Sequence, residues 1–403
     1  MNRTNFRIFC GAILLSALLL PVALAVEPSW TVAATTPGEL SCVAISGDGS
    51  TIVAGGDQLI ALAPDGRKLW TGWSGSRIAV SSDGSSIVTA RDQVVRLISG
   101  SGTMVWDQSL EVPVTELTML SNASLIAAAG TGRIRLINRS GSGFRQNISA
   151  TVNHLRFFPG GDRLVFTSRN GIQTANLTLF SEWTDTNMSQ DMVEVTGDGS
   201  SFVSVTNNRI RKYSRDGSLR WDSALKGGNA ISYALSRDGS AIVIGRDDNT
   251  LVVLDGDGNT IWMATEPSWV ESVAVSDDGS TIAAGCLGRT LAVYDRAGTT
   301  LLSATTAEPI KERSVAVSGD GSLVVAVDAG AVYGFTRSQF AAPAPSIPAG
   351  TTVPVTVSLP TTVPATSPQQ AGPSPAGTGK AGIPPAVPLL AICAGLLASR
   401  RRS

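Results

Sequence analysis

One phrase recurs through the chain and limits what it can fold into. "CVAISGDGSTIVAGG" from Cys42 returns as "RIAVSSDGSSIVTAR" from Arg77, "MVEVTGDGSSFVSVT" from Met192, "SYALSRDGSAIVIGR" from Ser232, "SVAVSDDGSTIAAGC" from Ser272 and "SVAVSGDGSLVVAVD" from Ser314. Two degenerate copies fill the gap, "ELTMLSNASLIAAAG" from Glu116 and "HLRFFPGGDRLVFTS" from His154. Taking Asp48, Asp83, Asn122, Gly160, Asp198, Asp238, Asp278 and Asp320 as turn markers, the spacing is 35 to 42 residues. A period of this size means stacked supersecondary units, each covering its neighbour's apolar face.

Every copy has the same local grammar. A short alternating apolar run predicts a strand, Asp-Gly-Ser a tight turn, and a second β-branched run the returning strand. A third strand and another glycine turn follow, as in "LIALAPDGRKLW" and "LVVLDGDGNTIW", then a fourth strand carrying a large side chain. Trp70, Trp106, Trp183, Trp221 and Trp262 stand 22 to 24 residues after their markers; Phe144 holds the place in the third copy and Leu301 or Leu302 in the seventh. The expected fold class is all-β: an eight-bladed β-propeller of four-stranded antiparallel blades over residues 26–340. The eighth copy stops after its third strand, near Ala331 to Thr336, and "EPSWTVAA" leaves one strand over at the start, with Trp30 in the aromatic place. That N-terminal strand is expected to complete the last blade and remove the sheet edges that would invite aggregation. Seven blades with one degenerate copy extruded is the alternative.

The repeats resemble WD-repeat propellers. They are more similar, in "ALAPDGRKLW" and "VVLDGDGNTIW", to the repeat of pyrroloquinoline-quinone-type propellers, over nearly all of residues 29–337. The resemblance implies a fold more than a function, because propellers host many activities. Quinoprotein dehydrogenases of this fold use adjacent cysteines, a metal-binding Glu/Asn pair and an Asp base. No two cysteines are adjacent here, so that activity is not carried over and no cofactor is expected.

The two ends have other compositions. Residues 1–25 read as a signal peptide, with Arg3 and Arg7, an apolar stretch from Ile8 to Leu20, and Ala23-Leu24-Ala25 as a small-residue cleavage site. Residues 341–382 read as a Pro/Thr-rich disordered stalk, too poor in apolar surface to offset chain entropy. Residues 383–403 read as a hydrophobic anchor or sorting helix ending in Arg400, Arg401 and Arg402. This tail resembles the C-terminal sorting signals of archaeal surface proteins, with Gly382-Ile383-Pro384-Pro385 where those carry Pro-Gly-Phe. The expected location is therefore outside the cell, at its surface, with the membrane as partner through the tail.

Between Val26 and Phe340 there are 25 basic and 32 acidic residues, a net charge near −7. Phosphate binding needs clustered Lys and Arg, so no nucleic-acid partner is expected. Catalytic constellations are sparse. His154 is the single histidine, which argues against a Ser-His-Asp triad or a histidine metal site. Cys42 and Cys286 are expected as buried free thiols. Asp255-Gly256-Asp257-Gly258-Asn259 resembles the opening of a calcium loop but coincides with the turn that every blade needs, and it reads as a hairpin; no metal is expected. Asn122, Asn138, Asn147, Asn176 and Asn187 lie in Asn-x-Ser/Thr contexts and are candidate glycosylation sites clustered in copies three and four or just beyond.

The loops into each first strand, and those joining second and third strands, vary in length and chemistry. They carry Trp73, Arg91, Asp92, Arg169, Arg246, Asp247, Glu266, Trp269 and Arg313 as a candidate ligand-binding face; the alternative is that both tryptophans tuck against their own blades. The expected function is a cell-surface-displayed, non-catalytic binding or scaffold module for protein or glycan. A quinoprotein-like or hydrolase-type extracellular enzyme and a structural cell-envelope subunit are the alternatives.

Overall fold

The computed structural model describes residues 26–35, 40–186, 192–206 and 208–340. The expected signal peptide, the stalk, the C-terminal tail and Asn187 lie outside the described residues. The strands form six four-stranded antiparallel sheets and one six-stranded sheet. Five of the four-stranded sheets cover residues 40–72, 77–109, 192–224, 230–265 and 270–305. The sixth covers 315–336 and takes Trp30–Ala33 as its fourth strand, with Trp30 opposite Gly334 and Ala33 opposite Ala331.

The repeated phrase makes its turn through side-chain chemistry. Ser46 Oγ donates to Asp48 Oδ1 (2.6 Å), which also accepts from Ser50 N (2.9 Å), while Thr51 N donates to Ser46 Oγ (2.9 Å). The same bonds recur at Ser81 with Asp83, Ser236 with Asp238, Ser276 with Asp278 and Ser318 with Asp320. These bonds hold the carboxyls of Asp83 and Asp198 down at about 2. Backbone bonds stitch one such turn to the next: Asp48 N to Ser82 O (2.9 Å), Gly197 N to Arg237 O (2.6 Å), Asp238 N to Asp277 O (3.1 Å) and Asp277 N to Gly319 O (2.9 Å).

Residues 114–185 depart from the pattern of separate sheets. Leu125–Asn138 and Gly143–Phe157 bend through what are loops elsewhere, because Thr131 pairs with Thr151, whose Oγ1 donates to Thr131 Oγ1 (3.1 Å). Gly143–Phe157 thus ends the third copy and begins the fourth, joining them in one six-stranded sheet.

Second strands such as Ile52–Gly56 and Ala241–Arg246 are buried along their whole length, as befits strands covered on both faces. The core lies between successive sheets. Ile52, Ile60 and Leu62 pack on Leu323, Val325 and Val332 with Trp30 at the margin, and Val243 and Val253 pack on Ile282 and Ala284. First strands touch in succession, Leu40–Ile45 with Arg77–Val80 and onward to Val270–Val275 with Val315–Val317. The strand Val315–Val317 in turn touches Leu40–Ile45.

The outer-strand tryptophans dock one sheet on the next. Trp30 Nε1 donates to Pro64 O (2.9 Å), Trp70 to Gly100 O (2.8 Å), Trp106 to Arg139 O (3.0 Å), Trp221 to Gly256 O (3.2 Å) and Trp262 to Arg296 O (2.9 Å). Each ring lies against a glycine of positive φ in the receiving turn; at Gly298 (φ +87°) a Cβ would come within 2.9 Å of Trp262. Copy seven has leucine in the tryptophan place, and the seam from copy three to copy four breaks the rule. The turn residue corresponding to that glycine is Leu179 (φ +60°), whose side chain is buried with Leu136, Val152 and Phe166. Leu179 fills the space where a tryptophan would wedge, and Phe144, in the tryptophan place, is 48% exposed.

Because Trp262 is half-buried, Trp262→Ala is expected to cost about 2–3 kcal/mol. Gly298→Ala, which leaves the indole but adds both strain and a clash, is expected to cost about 1–3 kcal/mol. Urea denaturation of the two variants checks both.

Candidate functional site

The inner strands enclose a cavity of about 400 Å³. Aligned on the turn markers, the copies place Cys42, Arg77, Glu116, His154, Met192, Ser232, Ser272 and Ser314 at one equivalent position. Two residues further on stand Ala44, Ala79, Thr118, Arg156, Glu194, Ala234, Ala274 and Ala316. The second series is mostly alanine, which leaves room along the axis. Arg156 and Glu194 interrupt it, and Arg77, Glu116 and His154 interrupt the first.

These exceptions form one charged network. Glu116 is fully buried; its Oε2 accepts from Arg156 Nη1 (3.0 Å) and its Oε1 accepts from Arg313 Nη2, 197 residues away in sequence. Arg156 Nε continues to Glu194 Oε1 (2.7 Å), and Arg313 Nε to Glu312 Oε1 (2.9 Å). Arg77 has carbonyl partners only, Thr115 O (3.1 Å) and Ser76 O (3.0 Å). Burial alone would raise the Glu116 carboxyl, but Arg313 and Arg156 outweigh it and hold the group below the ordinary carboxylate range. Glu312 is likewise lowered, burial being overcome by Arg313. Burial lowers His154 to about 4 against the pull of Glu116, and it lowers the Arg77 guanidinium, with Arg313 adding to the effect. Burial pushes Cys42 up to about 11. Glu271, across the cavity, is raised by burial and by Glu312.

The expected ligand-binding residues differ in exposure and in partners. Trp269 is 48% exposed and lies beside Leu287, whose N donates to Trp269 O (3.0 Å). Trp73 is 40% exposed, but its indole donates to Gly102 O (3.0 Å), so the ring reaches along its sheet to the neighbouring outer turn. Arg91 pairs with Asp57 and donates to Gly56 O (3.0 Å), and Asp92 (φ +52°) accepts from Val114 N (2.6 Å). Arg169 lines a separate cavity of about 300 Å³ with Thr131, Ile148 and Asn153. Asp247 holds Asn229 through its backbone N (2.7 Å) and its side-chain amide (2.8 Å).

Two of the nine are buried, and a third, Arg313, faces the cavity. Arg246 is buried because its guanidinium ties down the preceding loop at Lys226 O and Gly228 O (3.0 Å) beside Asp248 (3.4 Å). Glu266 is buried because it accepts from Tyr294 Oη (2.5 Å), with the Cys286 thiol 3.9 Å away; burial raises its carboxyl. Arg313 turns inward to the cavity. Cys42 and Cys286 are both free and buried. In the turn that resembles a calcium loop, Asp255 Oδ1 accepts from Asp257 N (2.9 Å) and Asn259 N (2.8 Å), closing a hairpin.

Except for Arg313 and Glu312, which precede Val315–Val317, the members of the cavity network lie on strands rather than loops. The signal that finds them is charge at positions where most other copies carry small or uncharged residues.

Sheets joined through their first strands around a shared cavity, most of them docked by an outer tryptophan on the next sheet's turn, define a β-propeller of PQQ-like repeats. The chain belongs to the family described as outer membrane protein assembly factor BamB, whose pattern matches residues 27–156 and 158–345. Among curated proteins none matches the sequence. The structure is similar to that of Sqt1 from Saccharomyces cerevisiae (13% identity, TM-score 0.66), covering 78% of this chain and 99% of that one. It is also similar to the computationally designed protein Ika8 (16% identity, TM-score 0.62), covering 75% and 97%. At these identities the likeness shows fold alone. The two cysteines among the described residues, Cys42 and Cys286, sit in different sheets.

Glu116→Ala would leave two arginines without their carboxylate and is expected to cost about 3–5 kcal/mol in chemical denaturation. His154 binds its proton more weakly in the folded than in the unfolded chain. Its stabilising contribution is therefore complete above about 6.5 and is lost as pH falls toward about 4. Between pH 7 and 5 this amounts to about 2 kcal/mol, and His154→Gln is expected to remove that part of the slope in urea titrations at the two pH values.

Proposed function

We propose that this chain is an exported, surface-held β-propeller of eight blades, closed by its N-terminal strand, and that it is a non-catalytic module binding a protein partner. The eight-bladed ring is supported by the pairing of Trp30–Ala33 with Ala331–Thr336, by the bond from Trp30 to Pro64 O, and by the contact of Val315–Val317 with Leu40–Ile45. On this reading the six-stranded sheet is two blades sharing one continuous strand. Export and attachment rest on the composition of residues 1–25 and 341–403.

The observation that carries the binding role is the exposed Trp269 beside the exposed Leu287, on adjoining loops at the variable end. A large aromatic held by a rigid sheet and flanked by an aliphatic residue is the composition of an interface anchor. The family's description as an assembly factor favours protein over glycan. The charges of Glu116, Arg156, Glu194, Glu312 and Arg313 satisfy one another and serve as a brace for the ring.

A photocrosslinking side chain placed at residue 269 of the full chain, in its own cell envelope, is expected to give one discrete protein adduct. The same group at Asp83, in a tight turn at the other end of a blade, is expected to give none. Equal labelling at both positions, or none at either, removes the assignment. Binding of a quinone with appearance of its chromophore would overturn the non-catalytic role.

A further inference from the structure

The seam between copies three and four is unlike those docked by a tryptophan. In place of the indole, Leu179 fills the gap from the receiving turn, and the seam's outer skin is left apolar and open. Phe180 is 68% exposed, Phe144 48% and Leu177 38%. Phe144 and Leu177 share a shallow cavity of about 220 Å³ with Asn138, and a second of about 230 Å³ runs beside Phe180 and Leu179. Exposed patches of this kind ask for a cover.

Two sequons open directly onto it. Asn138 and Asn176 are the opening residues of the equivalent turns in the two copies: Gly141 N donates to Asn138 O (3.0 Å) and Leu179 N to Asn176 O (2.9 Å). In both, the side-chain oxygen does the turn's work. Asn138 Oδ1 accepts from Ser140 N (3.0 Å) and Ser142 N (3.0 Å), and Asn176 Oδ1 from Thr178 N (3.0 Å). Asp255 and Asp295 make the same bonds in other copies, so the turn needs only an oxygen and the amide nitrogen is surplus to it. The sequon hydroxyl also reaches the same oxygen, Ser140 Oγ at 2.7 Å and Thr178 Oγ1 at 2.6 Å. Asn176 N further donates to Phe180 O (3.3 Å), which fixes the most exposed ring beside the sequon.

We infer that Asn138 and Asn176 carry N-linked glycans whose first sugars lie over Phe144, Leu177 and Phe180. Sugar rings present C–H faces suited to phenyl groups and hydroxyls suited to water, so a tethered glycan covers this skin without a protein partner. The inference rests on the export proposed above, since the modification requires passage out of the cytoplasm.

The test uses the full chain purified from its own cells. Peptide mass spectrometry is expected to find sugar on Asn138 and Asn176. The double variant Asn138→Gln/Asn176→Gln, folded by its circular dichroism, is expected to bind a hydrophobic dye severalfold more than the parent. Adding Phe144→Ser and Phe180→Ser to it is expected to abolish that excess. Unmodified asparagines in a chain that has lost residues 1–25 overturn the glycan assignment while leaving export intact. A chain retaining those residues in the cytoplasm overturns both. Glycans present with dye binding unchanged in the double variant overturn the covering role.

Discussion

At five seams the indole of the outer strand does two things at once, and the docking of those sheets depends on both. Its ring fills the wedge between one sheet and the next, where burial of a large aromatic surface contributes several times what a single hydrogen bond does. Its N–H ends on a carbonyl of the receiving turn, which sets the angle at which the sheets meet. A glycine in that turn is the other half of the device, because the ring approaches where any Cβ would stand. Where the pair is present, the inter-sheet geometry is therefore specified locally by two residues of the repeat.

Around the axis the logic is different. The inner strands run close together, and small residues at most of their cavity-facing positions prevent crowding. At copies two to five and eight the space is taken by Arg77, Glu116, His154, Arg156, Glu194 and Arg313. A fully buried carboxylate is tolerable only with its charge answered, and Glu116 is answered by Arg156 from a neighbouring inner strand and by Arg313 from the turn before Val315–Val317. The network joins parts of the chain that are far apart in sequence, whereas the tryptophans join neighbours.

The fold was legible because the repeat states it eight times, and the leftover Trp30 strand pairs with Ala331–Thr336 as its position in the sequence implied. Legibility fell where copies diverge. The bend at Thr131 and Thr151, which merges two sheets, comes from a side-chain contact that no turn motif announces. Arg246 and Glu266 look like surface groups by residue type, yet each turns back onto its own loop or its neighbour's tyrosine. The cavity charges were invisible while read singly, and they stand out only when copies are laid in register. Leu179 is the sharpest case: a leucine at positive φ replaces a glycine, and the consequence appears on another strand, in the displacement of Phe144.

The sheet assembled from both ends of the chain has a consequence in time. Ser29 and Thr336, which meet there, are separated by 307 residues, so at ordinary ribosomal rates the first strand waits roughly 15–60 s for its partner to be synthesised. Until then every other sheet can mature, but the molecule keeps two bare strand borders. Completion is a single late clasp, and a nascent chain halted before Ala331 would be left sticky rather than merely shortened.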